Sequence, residues 1–536
     1  MKKKKIIKKA MAVLLSAAMV LSAAGCGGKT ADNGTASQTA GTENPESAAA
    51  QGSGADALEP YTITWAYIGA TYQDTDLVEA EMNKILQPKF NCTIDIIGFS
   101  WGEYTQKLNL MLSGDEPLDM VPVIYGNGAS YLNNGQIIDM KDLIDKYGKN
   151  MKEVLGEDTL NVCNVGGRIY GVPVFKEYSV DAAVMMRKDM LEEAGVTKLP
   201  DTLEEWEAAL LKIKETKNIA PMMGAAGFKG IYDCVFGAFG LYPQIFTEKD
   251  GKVVYGAVEP EAKQALEVLH RWYEEGLIDP EFVIDDETKK REKWTAEKAA
   301  VTTGAFYHAI TGEAYWGGKY YDPLMEKNPN AKVVTILPPA GPDGERGVGQ
   351  DSPIVNAGVV FSKELESQPE KLKKYLQLCD YMLKEQKKLT VGTEGETYQL
   401  DANGNVEWLP PYDDMETRKE YGLSTSDVVD GFCDYDIDFE LKPAQYADVR
   451  EAAISNCVGK YDVLGPAPRP VYQEKKEALE RIVSKNLIDF ITGDRDLAEF
   501  DAFVEEWNAA GGTEVMEEAQ VYFEKLGLNN VTWGEK

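Results

Sequence analysis

Histidine is almost missing from this chain: His270 and His308 are the only two in 536 residues. A metal centre built from several imidazoles is therefore excluded. Of the seven cysteines, no two stand in a CxxC pair, and the gaps between them are wide. That spacing does not suggest a disulfide framework, and a chain this long can make its own core. Cys92, Cys163, Cys234, Cys379, Cys433 and Cys457 are read as free thiols, Cys379 on the apolar face of a helix. Positive charge is also scarce, with 56 Lys and Arg against 88 Asp and Glu, a formal net charge of −32. So acidic a body is a poor partner for nucleic acid or anionic lipid surfaces. The G-x-S-x-G elbow, the H-E-x-x-H helix and the phosphate-binding loop are absent too. Beyond residue 24 no second hydrophobic span is present.

What is present begins with Lys2 to Lys5, Lys8 and Lys9, a positive segment followed by an apolar stretch from Ala10 to Ala24. That stretch is shorter than the ~20 residues of a spanning helix and fits the hydrophobic region of a secretory signal. It ends in Ala23-Ala24-Gly25-Cys26, which resembles a lipobox. The resemblance implies cleavage after residue 25 and a lipid on the Cys26 sulfur. Without residues 1–25 the chain keeps 50 basic against 88 acidic residues, a charge of −38. Residues 26–58 are rich in Ala, Gly, Ser, Thr, Gln and Asn and hold no aromatic ring. They cannot bury apolar surface and read as a disordered tether with a span of roughly 30 Å.

The body opens on alternation. Tyr61 to Tyr67 reads as a strand, Asp76 to Leu86 as a helix stopped by Pro88, and Cys92 to Gly98 as a second strand. A helix over Tyr104 to Ser113 and a third strand over Asp119 to Tyr125 complete a β-α-β-α-β run, the pattern of a parallel sheet with crossover helices. Further on, Thr202 and Glu205 form a capping box before Trp206, Leu210 and Ile213. Pro260 opens a helix with Leu266, Leu269 and Trp272 on one face and Gly276 past its end. Two later stripes are Leu372, Leu376, Cys379 and Leu383, then Leu479, Ile482, Val483, Leu487 and Phe490 before Gly493. These stripes, Trp206 and Trp272 included, read as core.

Five short motifs stand in one order along the body. Gly166-Gly-Arg-Ile-Tyr-Gly-Val-Pro173 resembles the G-K-I-Y-G-V-P turn of family 1 extracellular solute-binding proteins of ABC importers. Met186 to Gly195 with Pro200-Asp-Thr-Leu-Glu-Glu-Trp206 is similar to their Y-R-K-D…G…P-x-T-x-x-E-W element. Ala299 to Gly304 is similar to their A-A-M-x-x-G stretch. Glu275 to Glu281 and Gly392 to Tyr398 resemble the long lipoprotein branch with LipO-like and alginate-binding members. The resemblance implies an α/β, two-lobe periplasmic-binding-protein-like fold with a hinge and an interlobe cleft. The expected divisions are lobe 1 over 59–178, lobe 2 over 179–337 and a return to lobe 1 over 338–395. Residues 396–536 are expected mostly in lobe 2 and in helices packed at the hinge.

In an open α/β sheet, ligands sit beyond the carboxyl ends of the strands, and sugars need ring platforms beside hydrogen-bonding acids and amides. Tyr67 and Tyr72 follow the first strand, Trp101 and Glu103 the second, and Tyr125 and Asn127 the third. By resemblance, Tyr125 and Asn127 fall on the family's sugar-contacting loop. Glu177 falls on an acidic ligand position at the lobe crossing, and Phe306 on a stacking aromatic with Tyr307 beside it. Trp294, Trp316 and Asp351 come from nearby cleft loops. His308 reads as a packed or partly exposed residue.

No cofactor is expected. The alginate-binding relatives carry a calcium loop after the capping-box helix, but here that stretch is Lys214-Glu-Thr-Lys-Asn-Ile-Ala-Pro221. Asp401 to Glu407 lacks EF-hand spacing and reads as an Asn-Gly hairpin turn. The expectation is a monomeric, lipid-anchored binding protein outside the bacterial cell membrane. It would deliver a carbohydrate to ABC importer permease subunits without acting on it chemically. A binder of peptides or another polar solute, and a secreted carbohydrate-active enzyme, are the alternatives.

Overall fold

A computed structural model describes residues 60–68, 75–99, 103–113, 118–124, 127–161, 163–175, 182–224, 232–314, 318–350, 354–391, 394–402, 406–414, 417–418, 444–464 and 469–526. In chain order the elements that place the site begin with β1 (Tyr61–Ile68), α1 (Thr75–Phe90), β2 (Cys92–Phe99), α2 (Tyr104–Ser113), β3 (Met120–Ile124), α3 (Asn127–Asn133) and β4 (Val172–Phe175). Next come β5 (Ala183–Arg187), α4 (Leu203–Lys217), α5 (Ala262–Glu274), α6 (Glu287–Thr295), β6 (Val301–Gly304), β7 (Val333–Ile336) and β8 (Val348–Gln350). The last are β9 (Ile354–Phe361), α7 (Pro369–Val391), β10 (Tyr398–Leu400), β11 (Val406–Trp408), α8 (Ala447–Ile454), β12 (Gly459–Tyr461) and α9 (Pro470–Thr492).

Two sheets organise these elements. The first has the order β2-β1-β3-β9-β4. Its β1, β2 and β3 run parallel, with Tyr61 opposite Cys92 and Trp65 opposite Met120. The returning β9 runs antiparallel to both β3 and β4. The alternation seen in the sequence becomes burial here: Ile63, Trp65, Ile94, Ile96, Met120 and Leu108 of α2 join one core. Leu372, Tyr375, Leu376 and Cys379 of α7 close it from another side. Helix α1 runs through Pro88 to Phe90 rather than stopping before the proline. Pro88 is exposed in the last turn, while Phe90 beyond it is buried.

The second sheet is β6-β5-β7, all neighbours antiparallel, and it has a core of its own. Helix α4 starts at the expected cap, Thr202, but the return bond of Glu205 goes to the residue before the cap. Thr202 accepts the Glu205 backbone N–H at 3.3 Å, while the Glu205 carboxylate takes the Asp201 N–H at 2.8 Å. Helix α5 buries Leu266, Leu269 and Trp272 completely, a stripe worth about 1.5–3 kcal/mol per side chain. It ends at Gly276, whose φ of 62° suits a residue without Cβ. Helix α9 sets Leu479, Val483, Leu487 and Phe490 into the same core and closes on Gly493 at φ 83°.

Chain order and core membership separate at one place. Residues 338–350 stay with the second core: Leu203 donates to the Ala340 carbonyl at 3.1 Å, Ala340 to that of Asp201 at 2.8 Å, and Val348 is buried there. The return to the first sheet therefore falls between Gln350 and Ile354, not at Pro338, because β8 pairs with β12 rather than with the first sheet. Antiparallel β10 and β11 form the hairpin around residues 401–405. Cys92, Cys163, Cys234 and Cys379 are buried free thiols and Cys457 is a half-buried one. Cys26 and Cys433 lie outside the described residues.

Candidate functional site

The register of the first sheet brings five chain ends to one edge. Ile68 and Phe99 are partners at the ends of β1 and β2. Ile124 at the end of β3 pairs with Asn356, and Phe175 at the end of β4 pairs with Ile354. The segments that follow residues 68, 99, 124 and 175, and the one that precedes 354, all leave the sheet there. Tyr72, Trp101, Tyr125, Glu177 and Asp351 belong to these segments and lie outside the described residues, as does Trp316. Tyr67 stands in β1 opposite Gly98, and Asn127 is the first residue of α3. Glu103 is exposed immediately before α2, its carboxylate 3.3 Å from the Lys107 ammonium.

The second sheet presents an edge in the same way. Ala183 pairs with Gly304, and Val184 with Ile336, so the start of β5 and the ends of β6 and β7 lie together. Residues 176–181 connect β4 of the first sheet to β5 of the second, and residues 351–353 connect β8, paired with β12, to β9 of the first sheet.

Beyond β6, Ala305 leads into a 3-10 turn over Phe306–Ala309. Phe306 is fully buried with Ala183, Ile310, Ala314 and Ala453. Trp294 is equally buried, with Met185, Met223 and Leu324, its ring 6.4 Å from that of Tyr320 and nearly perpendicular to it. Both rings are expected at the ligand, but both are fully buried in side-chain packing. The turn points Phe306 inward, and Trp294 sits on the inner face of α6. Tyr307 is the half-buried ring of the pair, 5.4 Å from Phe306 at 80°.

His308 follows, half-buried, with its ring 4.9 Å from those of Tyr307 and Tyr320. A Cβ on Gly304 would stand 2.8 Å from its Nδ1, so only glycine leaves room for this ring. Burial pushes the His308 pKa down to about 4, against the upward pull of Glu287. The imidazole is therefore neutral at pH 7. Behind it, Lys290 donates to the Thr303 carbonyl at 3.1 Å and pairs with Glu287 at 3.0 Å, and Glu287 takes the Tyr320 hydroxyl.

Helix α8 is the supporting element that the sequence did not announce. It sets Ala453 against Phe306, and its Arg450 donates to the Ala314 carbonyl at 3.1 Å. Thr335 at the end of β7 donates to the Ala452 carbonyl at 3.1 Å. The helix is eight residues long and far from 306 in sequence, so no local pattern marks the contact.

The stretch Lys214–Pro221, which takes in the last turn of α4, is expected to lack a calcium loop. Lys214 reaches the Glu275 carbonyl at 2.5 Å, Lys217 the Glu193 carboxylate at 2.6 Å, and Asn218 is a left-handed cap. Glu215 is its one carboxylate, a donor set that does not fit calcium, which takes six to eight oxygens.

Two α/β lobes, each with its own sheet and core and joined by short crossings, define a solute-binding fold of the periplasmic type. Residues 74–385 match the family model described as "Bacterial extracellular solute-binding protein". The chain belongs to that family. Its relatives include Lipoprotein LipO of Bacillus subtilis, 24% identical over 77% of this chain and 83% of LipO. The polygalacturonan/rhamnogalacturonan-binding protein YtcQ of the same species is 22% identical over 82% of this chain and 88% of YtcQ. A carbohydrate ABC transporter substrate-binding protein of Streptococcus pneumoniae is 26% identical over 52% of this chain, and the match spans 56% of that protein's length. Among solved structures, the S. pneumoniae substrate-binding protein FusA in complex with kestose superposes with a TM-score of 0.62 at 18% identity, over 88% of this chain and all of FusA. The alginate-binding protein AlgQ2 without calcium ion gives 0.62 at 16%, over 87% of this chain and 98% of AlgQ2. No helix among the described residues is long and apolar enough to cross a membrane.

Proposed function

We propose that this protein binds an oligosaccharide between its lobes and hands it unchanged to the permease subunits of an ABC importer. One arrangement carries the reading. The segments bearing Tyr72, Trp101, Tyr125, Glu177 and Asp351 leave one edge of the first sheet, and the turn bearing Tyr307 leaves the edge of the second. Rings for stacking and acids for hydroxyl groups then come from both sides of a hinge, as a sugar requires. Tyr67, Glu103, Asn127 and Trp316 complete the proposed set. Relatives whose names include carbohydrate, polygalacturonan and fructooligosaccharide support the ligand class.

The lysine-rich start, the apolar stretch and Ala23-Ala24-Gly25-Cys26 support export and a lipid on Cys26, with residues 26–58 as the tether. The body would then work outside the cell membrane as a monomer held near its importer. A ligand at 100 times its Kd adds about 2.7 kcal/mol of stability. A thermal-shift screen over neutral and acidic oligosaccharides and peptides therefore tests the ligand class. A rise with an oligosaccharide and none with peptides is expected; the reverse overturns the reading.

A further inference from the structure

Asp279, Glu281 and Asp285 stand in the connection between α5 and α6, and one carboxylate oxygen of each lies within 4.8 Å of the others. Among the described residues, this is the group of three such side chains with the spacing to hold a metal ion. Three charges so close repel one another unless a cation joins them. The cation here is part of the chain. The Lys293 ammonium on α6 lies 2.7 Å from Asp279 and 2.8 Å from Glu281, and it also pairs with Asp285. The Lys293 side chain is 13% exposed and that of Asp285 5%. Burial works against the charged form, yet the hydrogen bonds that Lys293 donates to Asp279, Asp285 and Glu281 hold its pKa above the ordinary lysine value.

The clasp leads toward the ligand edge. Asp279 donates its N–H to the Met222 carbonyl at 2.8 Å, and Met223 beside it donates to that of Val301 in β6 at 3.2 Å. One turn before Lys293, Lys290 holds the Thr303 carbonyl near the end of β6. Phe306 and Tyr307 follow directly. The other end of the connection is tied by Lys214, which donates to the Glu275 carbonyl at 2.5 Å.

We propose that Lys293 is a positioning residue that does the work of a bound divalent cation, gathering the Asp279–Asp285 turn onto α6 and fixing the β6 edge without metal. The ammonium occupies the point that three carboxylates define, held by charge-assisted hydrogen bonds of ordinary length. The proposal does not depend on which solute is bound.

The test uses the mature protein and calcium chloride as the probe. The wild type should keep the same Tm in chelator and in millimolar calcium. Lys293→Ala vacates the centre while leaving three acids in place. It should melt several degrees lower in chelator, recover most of that loss with calcium but not with sodium chloride of equal ionic strength, and bind one calcium per chain by calorimetry. If Lys293→Ala does not fold in chelator, it should fold with calcium present. The same substitution combined with Asp279→Asn, Glu281→Gln and Asp285→Asn should fold in chelator and ignore calcium. A wild type stabilised by calcium, with the gain lost in Asp285→Asn, overturns the proposal. So does a Lys293→Ala protein that keeps the wild-type Tm, or one whose loss calcium does not repair.

Discussion

Arg187 and Asp189 form a two-point pair inside the second lobe, Nε to Oδ1 at 2.9 Å and Nη2 to Oδ2 at 2.6 Å. The Glu297 carboxylate meets the same Nη2 at 2.8 Å, and the Arg187 side chain is only 1% exposed. This is the structural content of the Met186-Arg-Lys-Asp189 motif: it ties the end of β5 to the turn before β6, and so sets the spacing of two of the three strands of the second sheet. Burial pushes the Asp189 carboxyl up, but hydrogen bonds from Arg187 outweigh it and hold the pKa below the usual carboxylate range.

Arg187→Ala should lower stability by about 3–5 kcal/mol, because it leaves two partly buried carboxylates without their cation. Asp189→Asn should cost less at pH 7. The depressed Asp189 pKa contributes stability that is present above the unfolded value and lost as pH falls through the folded one. The gap between wild type and Asp189→Asn in urea midpoint should therefore narrow from pH 7 to below pH 4. A gap independent of pH contradicts this assignment.

His308 gives a pH effect with a different origin. The unfolded chain takes up a proton near 6.5, while burial keeps the folded imidazole neutral down to about 4. The unfolded state thus binds more protons in that window, and stability falls as pH drops from 6.5 toward 4. His308→Gln should remove this part of the acid sensitivity, about 3 kcal/mol for a pKa lowered from 6.5 to about 4. The His308 ring proton signals in NMR should titrate near 4; a midpoint at 6.5 would show an exposed ring.

Much of this architecture was legible locally. The helix over Tyr104–Ser113, the cap at Thr202 and the Leu266-Leu269-Trp272 stripe are fixed by periodicity and by termini, which a single segment contains. Local signals did not decide where the chain changes lobes. Pro338 looked like an exit, but Ala340 and Val348 find partners on Asp201, Leu203 and β12, more than a hundred residues away. The same limit applied to the aromatic candidates. Phe306 and Tyr307 are neighbours in one turn, and the first is buried among Ala183, Ala314 and Ala453, distant in sequence, while the second stays half-buried. Trp294 lay in a charged stretch, so no apolar stripe betrayed that its ring faces inward.

That difference separates two groups of variants. Trp294→Ala and Phe306→Ala should cost about 3–5 kcal/mol of stability, since each removes a fully buried ring. Trp101→Ala and Trp316→Ala should leave the Tm of the free protein within a degree or two and weaken oligosaccharide affinity tenfold or more, the loss of one stacking platform. Unchanged affinity in both Trp101→Ala and Trp316→Ala would remove these rings from the site.

Capture of a sugar without chemistry is tested most directly by calorimetry followed by mass spectrometry of the recovered ligand. Mature protein titrated with the oligosaccharide that raises its Tm should bind one molecule per chain. Denaturation should then release that sugar with its mass and chain length intact after overnight incubation. Shortened products with new reducing ends, or no saturable binding by any oligosaccharide tried, would contradict it.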